Sequence, residues 1–162
     1  MLSVRTLAER LSRGRVLKRW LPAEFRAAPI FVSPDAALRF WRKDLAKCDP
    51  ALLAAARELV QPGDVVWDVG ANVGLFSFAA AARAGPSGQV LAIEADLWLV
   101  SLLRRSAAVQ PSCSAPVRVL PVAVSDRVGV AEFCIEARGR CSNHLLGWGG
   151  RRPVANGKGS GS

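Results

Sequence analysis

Apolar residues along the chain form three short runs, and the segments between these runs have the spacing of helices. The runs cover residues 65–69, 89–94 and 117–124, the second of which is closed by a carboxylate. Short apolar runs bounded by turn residues are typical of buried strands. Residues 75–84 and 98–109 predict the intervening helices. This order predicts a right-handed parallel unit that binds ligands beyond the carboxyl ends of its strands.

Further elements flank this unit. An alanine-rich segment, residues 51–60, predicts a helix with Asp49 as its N-cap and Pro50 in its first turn. Residues 35–47 carry a mixed pattern that predicts a short helix or a pair of strands. Residues 130–136 alternate between apolar and polar side chains and predict a fourth strand, antiparallel or at an edge.

The pattern divides the chain into three segments. Residues 1–28 predict a basic amphipathic helix, extending to about Phe25, and a linker that prolines punctuate from Pro29 on. Residues 29–146 form the predicted domain. Residues 147–162 are a tail rich in glycine and serine, with too little apolar surface to fold.

The first predicted strand leads into a glycine-containing turn, Asp68-Val-Gly70-Ala-Asn72-Val-Gly74. Glycine lets the backbone approach a ligand closely, and the helix that follows is expected to point free N–H groups and a partial positive charge at it. The turn therefore predicts a nucleotide site. A dinucleotide fingerprint requires G-x-G-x-x-G, but Asn72 occupies the place of the middle glycine, which disfavours a pyrophosphate.

The pattern Asp-x-Gly-x-Asn-x-Gly resembles motif I of the class I S-adenosylmethionine-dependent methyltransferases, and its asparagine form is similar to the FkbM family in particular. Glu94 follows Gly74 by 20 positions and closes the second predicted strand, where an acid can accept hydrogen bonds from both ribose hydroxyls. Residues 117–126 and 138–145 also resemble segments of that family. The resemblance covers about residues 30–146.

This resemblance implies an α/β fold of the Rossmann-like methyltransferase type, with an incomplete parallel sheet and flanking helices, and S-adenosyl-L-methionine as the cofactor. It implies that the turn passes beneath the methionine part, that Asp68 orients the amino group or a water, and that Glu94 binds the ribose. The residues implied in cofactor binding are Asp68, Gly70, Ala71, Asn72, Gly74, Glu94, Ala123 and Asp126. For Asp126, a place beside the adenine and a simple turn aspartate near Gly129 stay equally open.

The implied reaction is methyl transfer to a hydroxyl of a small molecule or a sugar. The catalytic base is unknown, and His144, the lone histidine, is a candidate that is more often structural. The sequence passes into its glycine-rich tail where the family continues into another acidic strand, so we expect a C-terminally truncated enzyme that could be inactive. The alternatives are a non-catalytic remnant that binds a nucleoside or a partner, and an NAD-dependent oxidoreductase.

The chain carries a net charge of +9, with basic residues concentrated towards both ends. With no tyrosine and no aromatic-basic motif, a dedicated nucleic-acid module is not expected. The basic N-terminal segment could instead contact acidic lipid or pack on the domain. No apolar run approaches the roughly 20 residues of a membrane span, and we expect a cytoplasmic protein.

The four cysteines form no C-x-x-C pair, which is the usual signature of a zinc or redox site. Cys134, Cys141 and His144 do not have a usual zinc spacing, and a fourth ligand would have to come from far away in the chain. The sequence therefore predicts no metal site.

Overall fold

The computed structural model of the protein describes residues 11–135 and 144–145. Within these residues a hairpin and three 3-10 helices precede residue 50, α-helices and strands then alternate up to residue 120, and two short strands follow. In chain order they are β1 (Leu17–Trp20), the 3-10 helix Ala23–Phe25, β2 (Pro29–Val32), the 3-10 helices Leu38–Trp41 and Leu45–Lys47, α1 (Pro50–Leu59), β3 (Val65–Val69), α2 (Leu75–Ala84), β4 (Gln89–Ile93), α3 (Leu97–Ala107), β5 (Val117–Leu120), β6 (Phe133–Cys134) and β7 (His144–Leu145).

Strands β3, β4 and β5 form a parallel sheet in that spatial order. The pairing runs in register from Val65 opposite Gln89 to Val69 opposite Ile93, so the carboxyl ends of β3 and β4 lie side by side. Helices α2 and α3 connect the three strands. The predicted α/β fold with an incomplete, Rossmann-like parallel sheet and flanking helices is thus confirmed.

The ends of the helices follow from local chemistry. Asp49 caps α1, with its side chain accepting a hydrogen bond from the Leu52 N–H and with Pro50 in the first turn, as predicted. Asp96 caps α3 in the same way through the Trp98 N–H. These caps satisfy backbone donors that a helix leaves without a partner in its first turn.

The core lies between the sheet and its helices. Phe78 of α2 and Leu102 and Leu103 of α3 are fully buried and pack with Ala92 of β4 in one apolar cluster. On the opposite face of β3, three alternate side chains remain largely exposed: Val65 at 68%, Trp67 at 68% and Val69 at 58%. Because alternate residues of a strand face opposite sides, one side of the sheet contributes most of the core.

The prediction of one basic helix extending to about Phe25 is wrong from residue 17 on, whereas Leu11 and Ser12 are helical. Residues 17–20 form β1, which pairs antiparallel with β2, and residues 23–25 form a 3-10 helix. The local pattern is compatible with a helix, but Leu17 and Arg19 face the same side of a strand and are partly buried there. Tertiary pairing overrides local propensity at this point. Residues 1–10 lie outside the described part of the chain.

The predicted linker at Pro29 is also wrong, since this segment is β2. Ile30 and Val32 are fully buried in the core, and the Phe31 N–H donates to Ser106 Oγ of α3 at 2.8 Å. The hairpin therefore docks on α3. Residues 35–47, for which a short helix or a strand pair was predicted, form short 3-10 helices anchored by the buried Phe40 and Leu45.

The third predicted strand is shorter than the apolar run that predicted it. Strand β5 ends at Leu120. Residues 121–130 are exposed and form no helix or strand. Pro121 has no backbone N–H to continue the ladder. The fourth predicted strand is reduced to β6, which pairs antiparallel with β7.

Among the described residues, no helix has both the length and the apolar character needed to cross a membrane.

A substitution at Gly74, at the start of α2, tests how tightly the helix packs against its neighbours at this turn. Its φ is +85°, and an added Cβ would lie 2.5 Å from Phe78 Cε2 and 2.7 Å from Leu103 Cδ2. We expect Gly74→Ala to lower the free energy of unfolding by about 2–4 kcal/mol, because left-handed strain and overpacking add. Urea denaturation measures this.

Gly63→Ala is the control for this substitution, since Gly63 has a similar φ of +90° but only an ordinary contact, at 3.8 Å from Ser87 Oγ. Gly63→Ala should lower the free energy of unfolding only by the strain of the left-handed backbone, about 1–2 kcal/mol. Equal losses in the two variants would contradict the packing role of Gly74.

Candidate functional site

The turn between β3 and α2 has a left-handed backbone at alternate residues. The φ angles are +80° at Gly70, +53° at Asn72 and +85° at Gly74. Asn72 is a residue type that tolerates this region because its short polar side chain can hydrogen-bond locally. Its Oδ1 accepts a hydrogen bond from the Val73 N–H at 2.8 Å. Asparagine at this position thus stabilises the turn with its own side chain.

The backbone N–H groups of the turn are engaged within the protein. The Gly70 and Ala71 N–H groups both donate to the Ile93 carbonyl, at 2.9 and 3.0 Å. The Gly74 N–H donates to the Ala71 carbonyl at 2.8 Å. The Asn72 N–H donates to Glu94 Oε2 at 2.8 Å. With the Val73 contact, each of residues 70–74 has an acceptor from the chain itself.

The first turn of α2 also has an acidic partner. Asp68, the last polar residue of β3, accepts a hydrogen bond from the hydroxyl of Ser77. Burial raises the pKa of the Asp68 carboxyl above its ordinary value; hydrogen bonds from Ser77 oppose the rise and the Glu94 charge adds to it. The N–H groups of residues 70–74 are thus engaged within the protein, and the expectation of free donors stays a prediction for the first turn of α2.

Glu94 joins the turn to the start of α3. Its side chain is nearly buried, with the residue 9% exposed, and its Oε1 accepts from the Asp96 N–H at 2.9 Å while Oε2 holds Asn72. An ionised carboxylate offers about four lone-pair sites. Two backbone contacts thus leave acceptor capacity for hydroxyl groups of a ligand.

Two cavities flank the turn and share Val69, Gly70 and Asn72 in their walls. The first has a volume of about 260 Å³ and is lined by Glu94, and by residues 122–124 after β5. The second has a volume of about 300 Å³ and is lined on the other side of the turn by Asp68, Ala71, Arg39, Phe40, Leu52, Val73, Leu75 and Phe76. A ligand that crosses the turn would touch both carboxylates.

Of the predicted residues, Gly70, Asn72, Glu94 and Ala123 line the first cavity, and Asp68 and Ala71 line the second. Gly74 is buried, and its place against Phe78 and Leu103 gives it a packing role. Its predicted part in cofactor binding remains a prediction.

Asp126 lies in the exposed segment after β5. It lines a larger, open cavity of about 660 Å³, together with Ala123 and Val124, and pairs with Arg127 at 3.6 Å. Ala123 and Val124 line both this cavity and the first one, so the two cavities adjoin. Asp126 lines only the larger cavity and is therefore near the first cavity without being part of its wall. Both interpretations of Asp126 stay open.

Sequence reasoning missed Arg39 and Phe40. They lie in a 3-10 helix remote in sequence from the turn, and no motif marks them. Phe133 of β6, which lines the first cavity, was missed for the same reason. The only hint in the sequence is the large apolar side chain of Phe40, which indicates an anchor of this segment in the core but not a place beside the turn.

The lone histidine, His144, is exposed in β7, where it pairs in register with Cys134. Within the described part of the chain, no group of three or more metal-ligating side chains comes together. Cys141, the other residue of the disfavoured zinc set, lies outside the described residues.

Models of protein families and curated proteins yield no match to this sequence. Among solved structures, the chain is similar to the crystal structure of the SAM dependent methyltransferase from Agrobacterium tumefaciens, with 16% identity over 67% of this chain and a TM-score of 0.38. The match covers 32% of that protein, so this chain spans about a third of its length.

The first prediction from the site concerns the contact between Glu94 and the turn. Glu94→Gln leaves one acceptor oxygen and sets an NH₂ group against a backbone N–H, so we expect a loss of about 1–3 kcal/mol in unfolding free energy. The Asn72 amide should lose protection in hydrogen exchange. Glu58→Gln, a substitution on the exposed side of α1, is the matched control and should leave that protection unchanged. Unaltered protection in Glu94→Gln would contradict the contact.

A second prediction follows from the raised pKa of Asp68. The folded state keeps this proton to higher pH than the unfolded chain, so stability falls as pH rises from the ordinary aspartate range to the raised pKa. The side chain of Asp68→Asn can still accept the hydrogen bond from Ser77, but it does not titrate. The variant therefore lacks this fall in stability with rising pH. Its stability relative to the wild type should therefore increase across that window and then level off. Urea denaturation between about pH 4 and pH 8 measures the difference, and parallel curves for the two proteins would contradict it.

Proposed function

We propose that this chain is a methyltransferase domain of the FkbM type that binds S-adenosyl-L-methionine across the turn between β3 and α2. The observation that carries the proposal is the hydrogen bonding of the turn. Its N–H groups donate to oxygens of the protein, and Asp68 accepts from the start of α2. The site therefore presents carboxylates, Asp68 and Glu94, where a phosphate site would present free donors.

Charge separates the two nucleotide classes. S-adenosylmethionine carries a sulfonium and an ammonium, which carboxylates attract, whereas NAD carries a pyrophosphate, which they repel. An oxidoreductase would need the N–H groups of the turn, which the Ile93 carbonyl and Glu94 already engage. This argument supports a methyltransferase over the oxidoreductase alternative.

In the proposed reaction, the protein itself contributes little covalent chemistry. The sulfonium supplies an electrophilic methyl group, and the protein aligns donor and acceptor and holds the donor away from water. Glu94 would accept from the ribose hydroxyls with the lone pairs that Asn72 and Asp96 leave. Asp68 would face the amino group. The proposed acceptor is a hydroxyl of a small molecule or a sugar, and the proposed location is the cytoplasm.

A second candidate is nucleoside binding without catalysis. The residues that line the two cavities beside the turn include no histidine, lysine or cysteine, and both of their carboxylates already accept hydrogen bonds from the protein. No base for a hydroxyl acceptor is therefore evident among these residues. A chain that binds the cofactor but transfers no methyl group to any tested hydroxyl acceptor would favour this candidate.

Isothermal titration tests the proposed ligand. We expect the wild type to bind S-adenosylmethionine and S-adenosylhomocysteine, and to bind NAD at least tenfold more weakly, because its pyrophosphate finds no free donors. Glu94→Ala should weaken binding of both nucleosides at least tenfold, since charge-assisted hydrogen bonds are lost. Glu58→Ala is the control. Binding of NAD alone would contradict the proposal.

Because Glu94 also holds the turn, a ligand control separates its two roles. S-adenosylhomocysteine and its 2′-deoxyribose analogue differ by one ribose hydroxyl. The wild type should prefer the ribose form, and Glu94→Gln should reduce this preference if Glu94 contacts the sugar. An equal loss for both ligands would assign Glu94 to the turn alone.

A further inference from the structure

A basic surface with two exposed tryptophans lies on the first hairpin and on the segment of residues 41–47. Residues 13–20 carry four basic side chains and residues 41–47 carry three, with Asp44 as the only acid in the two ranges. We call this area the basic hairpin surface, and its exposed side chains are Arg15, Lys18, Trp20, Trp41, Arg42 and Lys43. None of these six lines either cavity beside the turn, so the proposed function leaves this surface unused.

Strand β1 presents two different faces. Leu17 and Arg19 are partly buried on one face, whereas Lys18 and Trp20 are exposed on the other. The Lys18 ammonium lies 5.8 Å from the centroid of the Trp20 ring. Because alternate residues of a strand face opposite sides, the strand packs on the domain with one face and holds a charge and an aromatic ring in water with the other.

Arg19 joins the hairpin to the segment around Trp41. Its Nε donates to the Arg42 carbonyl at 3.0 Å, and its Nη2 donates to the Trp41 carbonyl at 3.4 Å. The guanidinium carbon of Arg15 lies 5.5 Å from the centroid of the Trp41 ring. The two segments therefore form one connected surface, on which each tryptophan ring has a cation beside it.

The hydrogen bonds of the arginines indicate which kind of anionic partner this surface fits. A nucleic-acid site uses guanidinium forks to hold individual phosphates and base edges. Here all three nitrogens of Arg19 donate to backbone carbonyls, and Nη1 of Arg42 donates to the Lys47 carbonyl. These donors are engaged within the protein, but the charges still add to the electric field at the surface. Such a field favours a continuous anionic surface over a chain of individual phosphates.

We propose that the basic hairpin surface binds to the surface of an anionic lipid bilayer, with Trp20 and Trp41 at the level of the headgroups. Tryptophan is enriched at membrane–water interfaces because its ring is apolar and its N–H is polar. Each basic side chain near an anionic leaflet adds attraction worth about fivefold in affinity. The contact is peripheral and does not depend on the proposed function, which concerns a different part of the fold.

Co-sedimentation of the full chain with lipid vesicles tests this binding. Vesicles of phosphatidylcholine with about one third phosphatidylglycerol should bind the chain at least about tenfold more tightly than vesicles of phosphatidylcholine alone. Because salt screens exposed charges, binding to the anionic vesicles should weaken as the salt concentration rises from about 0.1 M to about 0.5 M. Equal binding to the two kinds of vesicle would overturn the inference.

Two pairs of matched variants identify the surface. Arg15→Gln should weaken binding to the anionic vesicles about fivefold, whereas Arg118→Gln, at an exposed position of β5, should change it by less than about twofold. Trp20→Ala should weaken binding about tenfold. Trp67→Ala is its control and should leave binding unchanged, although Trp67 is the more exposed ring, at 68% against 56%.

Circular dichroism checks that each variant keeps the fold. Arg15 lies outside β1, so Arg15→Gln still tests the surface if Trp20→Ala does not fold. Equal weakening by Arg15→Gln and Arg118→Gln would reduce the binding to net charge and overturn the inference. A single-stranded oligoribonucleotide is the competing ligand. If the chain binds it more tightly than anionic vesicles at equal phosphate concentration, and Trp20→Ala removes that preference, the partner is a nucleic acid and the inference fails.

Discussion

The Glu94 carboxylate joins the three parts of the site. One of its oxygens accepts from Asn72 in the turn after β3, and the other accepts from Asp96 at the start of α3. A nearly buried carboxylate with two backbone donors is strongly stabilised, so it fixes the end of β4 relative to both neighbours. In the turn, this contact holds Asn72, a non-glycine residue with a left-handed φ of +53°.

The same arrangement explains the electrostatics of the site. Strand–turn–helix units that bind phosphates leave the donors of the turn free. Here Glu94 and the Ile93 carbonyl take up donors of the turn, and burial raises the pKa of Asp68, to which the charge of Glu94 adds. A ligand with cationic groups would oppose this rise. These carboxylates are the basis on which we propose a ligand with cationic groups in place of a dinucleotide.

The sheet is covered unevenly. Helices α2 and α3 bury one face, while Val65, Trp67 and Val69 of β3 remain exposed on the other. The hairpin of β1 and β2 extends the core by packing against α3, where Phe31 and Ser106 are hydrogen-bonded. Among the described residues, the buried core therefore lies on the side of α2, α3 and the hairpin, and it supports the turn from that side. The cavities lie at the carboxyl edge of the sheet, as parallel α/β topology requires.

Local chemistry in the sequence was enough to predict the parallel unit, the capped helix after Asp49 and the position of Glu94 at the end of β4, because each depends on residues close together in the chain. Strand β1 and the place of Arg39 beside the turn were not predictable in this way. They depend on contacts between segments far apart in sequence, such as the pairing of residues 17–20 with residues 29–32 and the anchoring of Phe40 in the core. The partners of the turn's N–H groups were decided by the tertiary structure as well, since a glycine pattern fixes backbone freedom but not which oxygen receives each donor.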